Sequence, residues 1–320
     1  MIGQSINYYI HHLQEQNYKS FYLAFLRVAI SVWQFKELCI NWSSFDVLYG
    51  EGAFVVNKPN FISRLPGGFP MVTKYFWWLI IPYIGVIWLN IIGIGRWVTA
   101  LALFILVDLL HKMNMSFLNG GDKMAKLILL YLVFADSYQY FVWKKKKDTA
   151  DSQRSKRRNL LSNLAALSIM LQLCVAYFGT GLAKLMDSFW RSGEAVYYAL
   201  LMERFMGTSF NHHIVQYKWL VISATYFVLL FELLFPVLIW IKKLRKPLLV
   251  AGILLHAGIY IFLMIYGFQI VFLLIYGLFL ANDRLVEVTK KIVSGLRFIG
   301  WKDGRIGVSL RGFIGFKDRL

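Results

Sequence analysis

The chain has 320 residues, of which 58% are hydrophobic, 17% aromatic and only 16% charged. A water-soluble domain carries about 25% charged and about 45–50% apolar residues, so this surplus of apolar surface points to a membrane protein and excludes intrinsic disorder and collagen-like repeats. Two cysteines, Cys39 and Cys174, cannot staple a disulfide scaffold and read as small hydrophobes inside apolar runs.

From the N-terminus, segment 1–20 lacks the basic, apolar and small-residue succession of a removable signal, so the first apolar stretch is expected to act as the insertion signal. Crossing a bilayer takes about 20 mostly apolar residues. That window predicts spans near 21–40, 75–94, 96–110, 124–143, 160–183, 219–241, 248–266 and 267–282. The expected fold class is therefore all-α: a polytopic integral membrane helical bundle of about eight spans, with a re-entrant or interfacial helix after the fifth. Arg27, Lys36 and Glu37 in the first span must face protein, water or headgroups rather than lipid. The expected organisation is a cytoplasmic N-terminal segment 1–20, a transmembrane domain 21–285 and a basic cytoplasmic tail 286–320.

The formal net charge of +18 invites a nucleic-acid reading, and its distribution argues against one. Lys144–Arg158 carries eight basic and two acidic residues, Lys242, Lys243, Arg245 and Lys246 form a second cluster, and the residues from Asp283 onward carry nine basic and four acidic residues. With eight spans all three fall on one side of the membrane, which the positive-inside rule makes cytoplasmic. The reading is a multi-pass protein of the cell membrane with both termini cytoplasmic, loops 41–74, 111–123 and 184–218 outside, a tail attracted to lipid headgroups, and no nucleic-acid partner.

The stretch Ala176–Phe205 is the most informative. Gly179, Gly181 and Gly193 are expected to break it, giving a helix end followed by a re-entrant helix. Lys184 lies at the outer end of the fifth span with Asp187 three residues on, so the two could meet on one helix face. Lys184 reads either as a snorkelling anchor or as a general base in apolar surroundings. Glu232, four residues before Pro236, and the mid-span His256 are ionisable groups at membrane depth, which face a bundle interior or cross-link helices. Asp108 and Asp136 fit helix-packing roles, and Asp122 after Asn119-Gly120-Gly121 is a candidate helix cap. The pairs His11-His12 and His212-His213 diverge in any regular element. No hydrolase, zinc or nucleotide-binding signature is present, and no metal is expected.

Several separated stretches agree in order and spacing with a known family. They are Leu26-Arg27, Asp46-Val47-Leu48-Tyr49, Asn119-Gly120-Gly121-Asp122, the set Tyr177, Gly181, Lys184, Leu185, Trp190 and Gly193, then Glu232-Leu233-Leu234-Phe235-Pro236, and His256 with Phe268. On these the chain, from about 20 to 285, resembles the HTTM family, the membrane domain of vitamin K-dependent gamma-carboxylase-like proteins. That family includes a bacterial branch of similar length, the membrane subunits that mature a sporulation-delaying peptide toxin. The resemblance implies that Lys184 is the base that deprotonates a reduced quinone of the menaquinone or vitamin K type. The candidate catalytic residues are then Lys184 with His256 and Glu232, which supply internal polar contacts, and the candidate pocket residues are Tyr177, Trp190, Gly181, Gly193 and Asp187. Where the family carries a histidine in an Asn-His-Ser-Tyr stretch, this chain has Met115 in Asn114-Met115-Ser116-Phe117.

The functional expectation is a membrane enzyme acting at its extracytoplasmic face on a reduced quinone or a membrane-associated peptide. The alternative is a non-enzymatic membrane subunit for peptide maturation, immunity or binding. Its partners are then membrane lipid, a small secreted or membrane peptide and a partner subunit. A transporter ranks third, because no inverted repeat is visible.

Overall fold

The structure is a computed structural model that describes residues 2–51, 68–143, 153–265 and 267–280. It is all-helical, with 81% helix and no strand among the described residues. The helices are α1 (Ile2–Glu15), α2 (Ser20–Ile40), α3 (Phe45–Tyr49), α4 (Gly68–Lys74), α5 (Trp77–Ile92), α6 (Trp97–Met113), α7 (Gly120–Phe134) and α8 (Gln153–Met186). They continue as α9 (Ser188–Arg191), α10 (Ala195–Leu201), α11 (Asn211–Ile214), α12 (Lys218–Leu238), α13 (Lys242–Phe262) and α14 (Phe268–Tyr276). The chain divides into two compact units, residues 1–167 with 280–320, and residues 168–279. The expected tail 286–320 and most of the Lys144–Arg158 run lie outside the described residues.

Each expected span holds a helix, and three are long and apolar enough to cross a membrane: Gln153–Met186, Lys218–Leu238 and Lys242–Phe262. The others fall short for separate reasons. At 1.5 Å per residue, the 16, 17 and 15 residues of α5, α6 and α7 reach about 23–26 Å, less than a hydrocarbon core of about 30 Å. Helix α2 has the length, with 21 residues, but carries Arg27, Lys36 and Glu37. The expected fourth span, 124–143, ends early because the chain leaves helical geometry at Ala135. Large apolar side chains nonetheless point outward along these elements, among them Trp78 and Ile81 on α5 and Trp97 and Val98 on α6. A face of that kind is costly in water and suited to lipid.

In the first unit α2, α5, α6 and α7 close into a four-helix bundle, each packing on two of the others. Arg27 on α2 is fully buried, and its guanidinium donates to the carbonyls of Asn90 and Phe141 at 2.5 Å and of Tyr140 at 3.1 Å. Helix ends leave carbonyls without intrahelical partners, and a buried arginine with several donors satisfies them. Asp108 joins α6 to α7 through Lys112 at 2.6 Å and Lys126 at 3.0 Å, while Asp136 pairs with Arg96 and Arg158. Asn119, rather than Asp122, caps α7: its side chain accepts from the Gly121 and Asp122 amides, and Asp122 reaches back to the Asn119 amide as the second half of a capping box.

The second unit is built from the C-terminal half of α8 and α9–α14. Gly179 and Gly181 do not break α8, which runs on to Met186. A glycine inside a helix costs about 1 kcal/mol, a weak effect that packing overrides. Where a re-entrant or interfacial helix is expected next, the chain forms two short helices, α9 and α10, which pack on α12.

Candidate functional site

Helical spacing decides which side chains of α8 meet. Tyr177, Gly181 and Lys184 stand four and three residues apart and so share one face. That face meets α12. A Cβ at Gly181 would lie 3.1 Å from the Cβ of Glu232 and 3.1 Å from Leu233, so the missing side chain is what lets the two helices approach. At this close approach Lys184 donates to Glu232 across 2.5 Å. Glu232 is nearly buried, its side chain 9% exposed, and Lys184 is 24% exposed. The partner of Lys184 is therefore Glu232, where a pairing with Asp187 was expected.

Asp187 instead begins the next turn. With α8 ended, its backbone is extended and its carboxylate accepts from the amides of Phe189 at 2.9 Å and Trp190 at 3.3 Å, capping α9. This cap sets the Trp190 ring 4.9 Å from the Lys184 ammonium nitrogen, a cation–π distance. Gly193 closes the turn with φ +83°, a left-handed conformation that glycine adopts without strain, and Tyr226 and Ile222 lie 3.2 and 3.3 Å from where a Cβ would stand. Tyr226 and Thr225 of α12 hold the turn, Tyr226 donating to the Arg191 carbonyl at 2.8 Å and Thr225 accepting from the Val196 amide at 3.2 Å.

Two turns back along α8, the Tyr177 hydroxyl is hydrogen-bonded to His256 Nε2 at 2.7 Å and to the Tyr276 hydroxyl at 2.7 Å. All three are buried. Phe231, Phe235 and Phe272 ring Tyr177, and Phe268 and Phe272 pack on His256. The chain thus joins α8, α13 and α14 through a polar thread in an aromatic shell. Tyr276 was missed at the sequence level, although a phenol within an apolar run needs a hydrogen-bond partner and is a signal in itself.

Two atoms stand out. Glu232 Oε2 and His256 Nδ1 are buried without a hydrogen-bond partner among the described residues. Each unpaired buried polar atom costs about 1–3 kcal/mol, so such atoms call for an explanation. The site therefore holds an ion pair, Lys184 with Glu232, whose second carboxylate oxygen has no hydrogen-bond partner among the described residues. Among the described residues no three His, Cys, Asp or Glu side chains are placed to hold a metal ion, and His12 contacts Tyr18 and Glu15. No family model, curated protein or solved structure matches the chain.

Proposed function

We propose that the chain is a membrane enzyme of the HTTM, vitamin K-dependent gamma-carboxylase-like type. In this reading it is a multi-pass protein of about eight spans in the cell membrane, with both termini cytoplasmic. Lys184 works at the extracytoplasmic face as a base on a reduced quinone or a membrane-associated peptide. The observation that carries this reading is the Lys184–Glu232 pair, 2.5 Å apart, with one carboxylate oxygen left without a partner among the described residues.

A reduced quinone supplies an acidic hydroxyl and an apolar ring. Two features fit it: Glu232 Oε2 has no hydrogen-bond partner among the described residues, and exposed Leu185 on α8 and Phe189 on α9, next to Lys184 and Trp190 in the chain, provide apolar surface. In the ion pair Lys184 is already the ammonium ion, so it takes a quinol proton only after its own proton has left to solvent; the ammonium re-formed by the transfer is stabilised by the Glu232 carboxylate and the face of Trp190. Both partners are preorganised by the capped turn and the Gly181 approach, so little rearrangement opposes the transfer.

The same ion pair favours a second reading, a non-enzymatic subunit for peptide maturation, immunity or binding in which Lys184 and Glu232 only cross-link α8 to α12. Two variants separate the readings in lipid nanodiscs supplied with reduced menaquinone and oxygen. A base predicts quinone epoxide from wild type and a loss of about 10²–10⁴-fold in Lys184→Met. It also predicts no recovery in the exchanged pair Lys184→Glu with Glu232→Lys, which keeps the cross-link. No epoxide from folded wild type rejects the quinol chemistry.

A further inference from the structure

Helix α1 is fastened to the first unit through main-chain atoms at its C-terminal end, which leaves apolar side chains of its own uncovered. The last carbonyls of a helix lack intrahelical partners. Two asparagines of α8 supply them: Asn163 donates to the carbonyls of Leu13 and Gln16 at 2.8 Å each, and Asn159 to those of Gln14 at 3.0 Å and Glu15 at 3.2 Å. In the sequence, Ile2, Ile6, Tyr9, Ile10 and Leu13 recur at intervals of four, three, one and three, the spacing of a single helix face. Tyr9 is 65% exposed and Ile10 39%, while exposed Asn7 and His11 fall on the other side of the helix.

The docking point lies where the surface of α8 changes character. The turn before it exposes Arg154, Lys156 and Arg157, and the turns that follow expose Leu161, Leu164 and Leu167. Asn159 and Asn163, which hold α1, fall between the two levels. At 1.5 Å per residue, Arg157 and Leu164 stand about 10 Å apart along the helix, comparable with the depth of about 5–10 Å to which an amphipathic helix settles in a leaflet. Arg158 of the same turn pairs with the buried Asp136 at 2.9 Å. Arg154, Lys156 and Arg157 have no acidic partner among the described residues. Glu15, the carboxylate of α1, contacts His12 and Tyr18 instead.

We propose that α1 is an interfacial helix whose Tyr9 and Ile10 face enters an anionic phospholipid leaflet, with Arg154, Lys156 and Arg157 of α8 binding the headgroup phosphates beside it. The inference rests on the membrane-spanning reading of the chain. Charge selects this occupant. A second copy of the chain would bring the same cations against these three, and a neutral partner would leave them unanswered, whereas phosphate oxygens accept from both guanidinium and ammonium groups. One basic residue near an anionic surface enriches anionic lipid about fivefold. A tyrosine at the boundary keeps its ring among acyl chains and its hydroxyl in the wet headgroup layer.

In the full chain with Cys39 and Cys174 replaced, Ile10→Cys, His11→Cys and Val237→Cys each carry a bimane fluorophore. The proteins are placed in phosphatidylcholine nanodiscs containing acyl-chain spin-labelled phosphatidylcholine or phosphatidylglycerol as quencher. Val237, exposed on α12, reports on membrane spanning alone. The proposal expects quenching at Ile10 and little at His11, with half-quenching at Ile10 reached at about fivefold lower mole fraction of the phosphatidylglycerol quencher. Replacing Arg154, Lys156 and Arg157 together by glutamine should abolish that preference and leave α1 docked through Asn159 and Asn163. Quenching at Val237 with none at Ile10 overturns the proposal, leaves the spanning reading standing and points to a protein surface on α1. Silence at both positions overturns both. Equal quenching at Ile10 and His11, equal quenching by the two lipids, or a preference that survives the triple substitution also overturns the proposal.

Discussion

At the scale of single residues, the account turns on a lysine whose partner lies 48 positions away, in another helix. That Lys184, Glu232 and His256 would each need a partner was legible because ionisable groups are rare in apolar runs. The pairing was not. Asp187, three residues on, is the local choice by helical spacing, but α8 ends between the two and Asp187 turns forward to cap α9. Removing one member of the pair strands the other, so Glu232→Gln is expected to lower stability by about 1.5–3 kcal/mol. Thermal denaturation in detergent measures this, and an unchanged midpoint contradicts a structural contribution from the carboxylate.

Elements depend on where helices end and how closely they approach. Helix positions followed from apolar runs of the right length, and every expected span contains one. Their ends did not follow as well: of the two glycines expected to break α8, Gly181 serves close packing on α12 while Gly179 faces open space, and the fourth span stops at Phe134. The cap of α7 gives one expectation. Asn119→Ala removes the acceptor for two amides and should cost about 1 kcal/mol, read as a lower unfolding midpoint, while Lys123→Ala in the same turn should change little. The α13–α14 contact gives another. A Cβ at Gly252 would collide with the Tyr276 hydroxyl, so Gly252→Ala should force α14 away and cost about 1–3 kcal/mol. If Gly252→Ala unfolds at the wild-type midpoint, the close packing of Tyr276 on α13 is not what holds that hydroxyl against Tyr177.

For the whole molecule, composition already separated this chain from soluble proteins, and three helices with the length and apolarity of membrane spans agree. Sequence pattern counts apolar windows. It does not weigh the shorter helices α5–α7, whose crossing depends on tilt and on the bundle they form with α2. The proposed topology makes a direct prediction. In a variant with Cys39 and Cys174 replaced, single cysteines at Ser192 and at Ser152 should label from opposite sides of the membrane. Labelling of both from one side contradicts the proposed orientation. The basic clusters belong to the same scale, because the proposed orientation rests on placing them on one side.

The central claim is that Lys184 accepts a proton, rather than simply carrying a charge. Lys184→Arg tests it most directly. Arginine keeps the positive charge and can still pair with Glu232, but it stays protonated at any accessible pH and cannot act as a base. Quinone epoxide is measured in nanodiscs with reduced menaquinone and oxygen, beside a thermal midpoint to confirm folding. The account predicts epoxide from wild type and its loss in a folded Lys184→Arg protein. Epoxide at the wild-type rate from Lys184→Arg would contradict it.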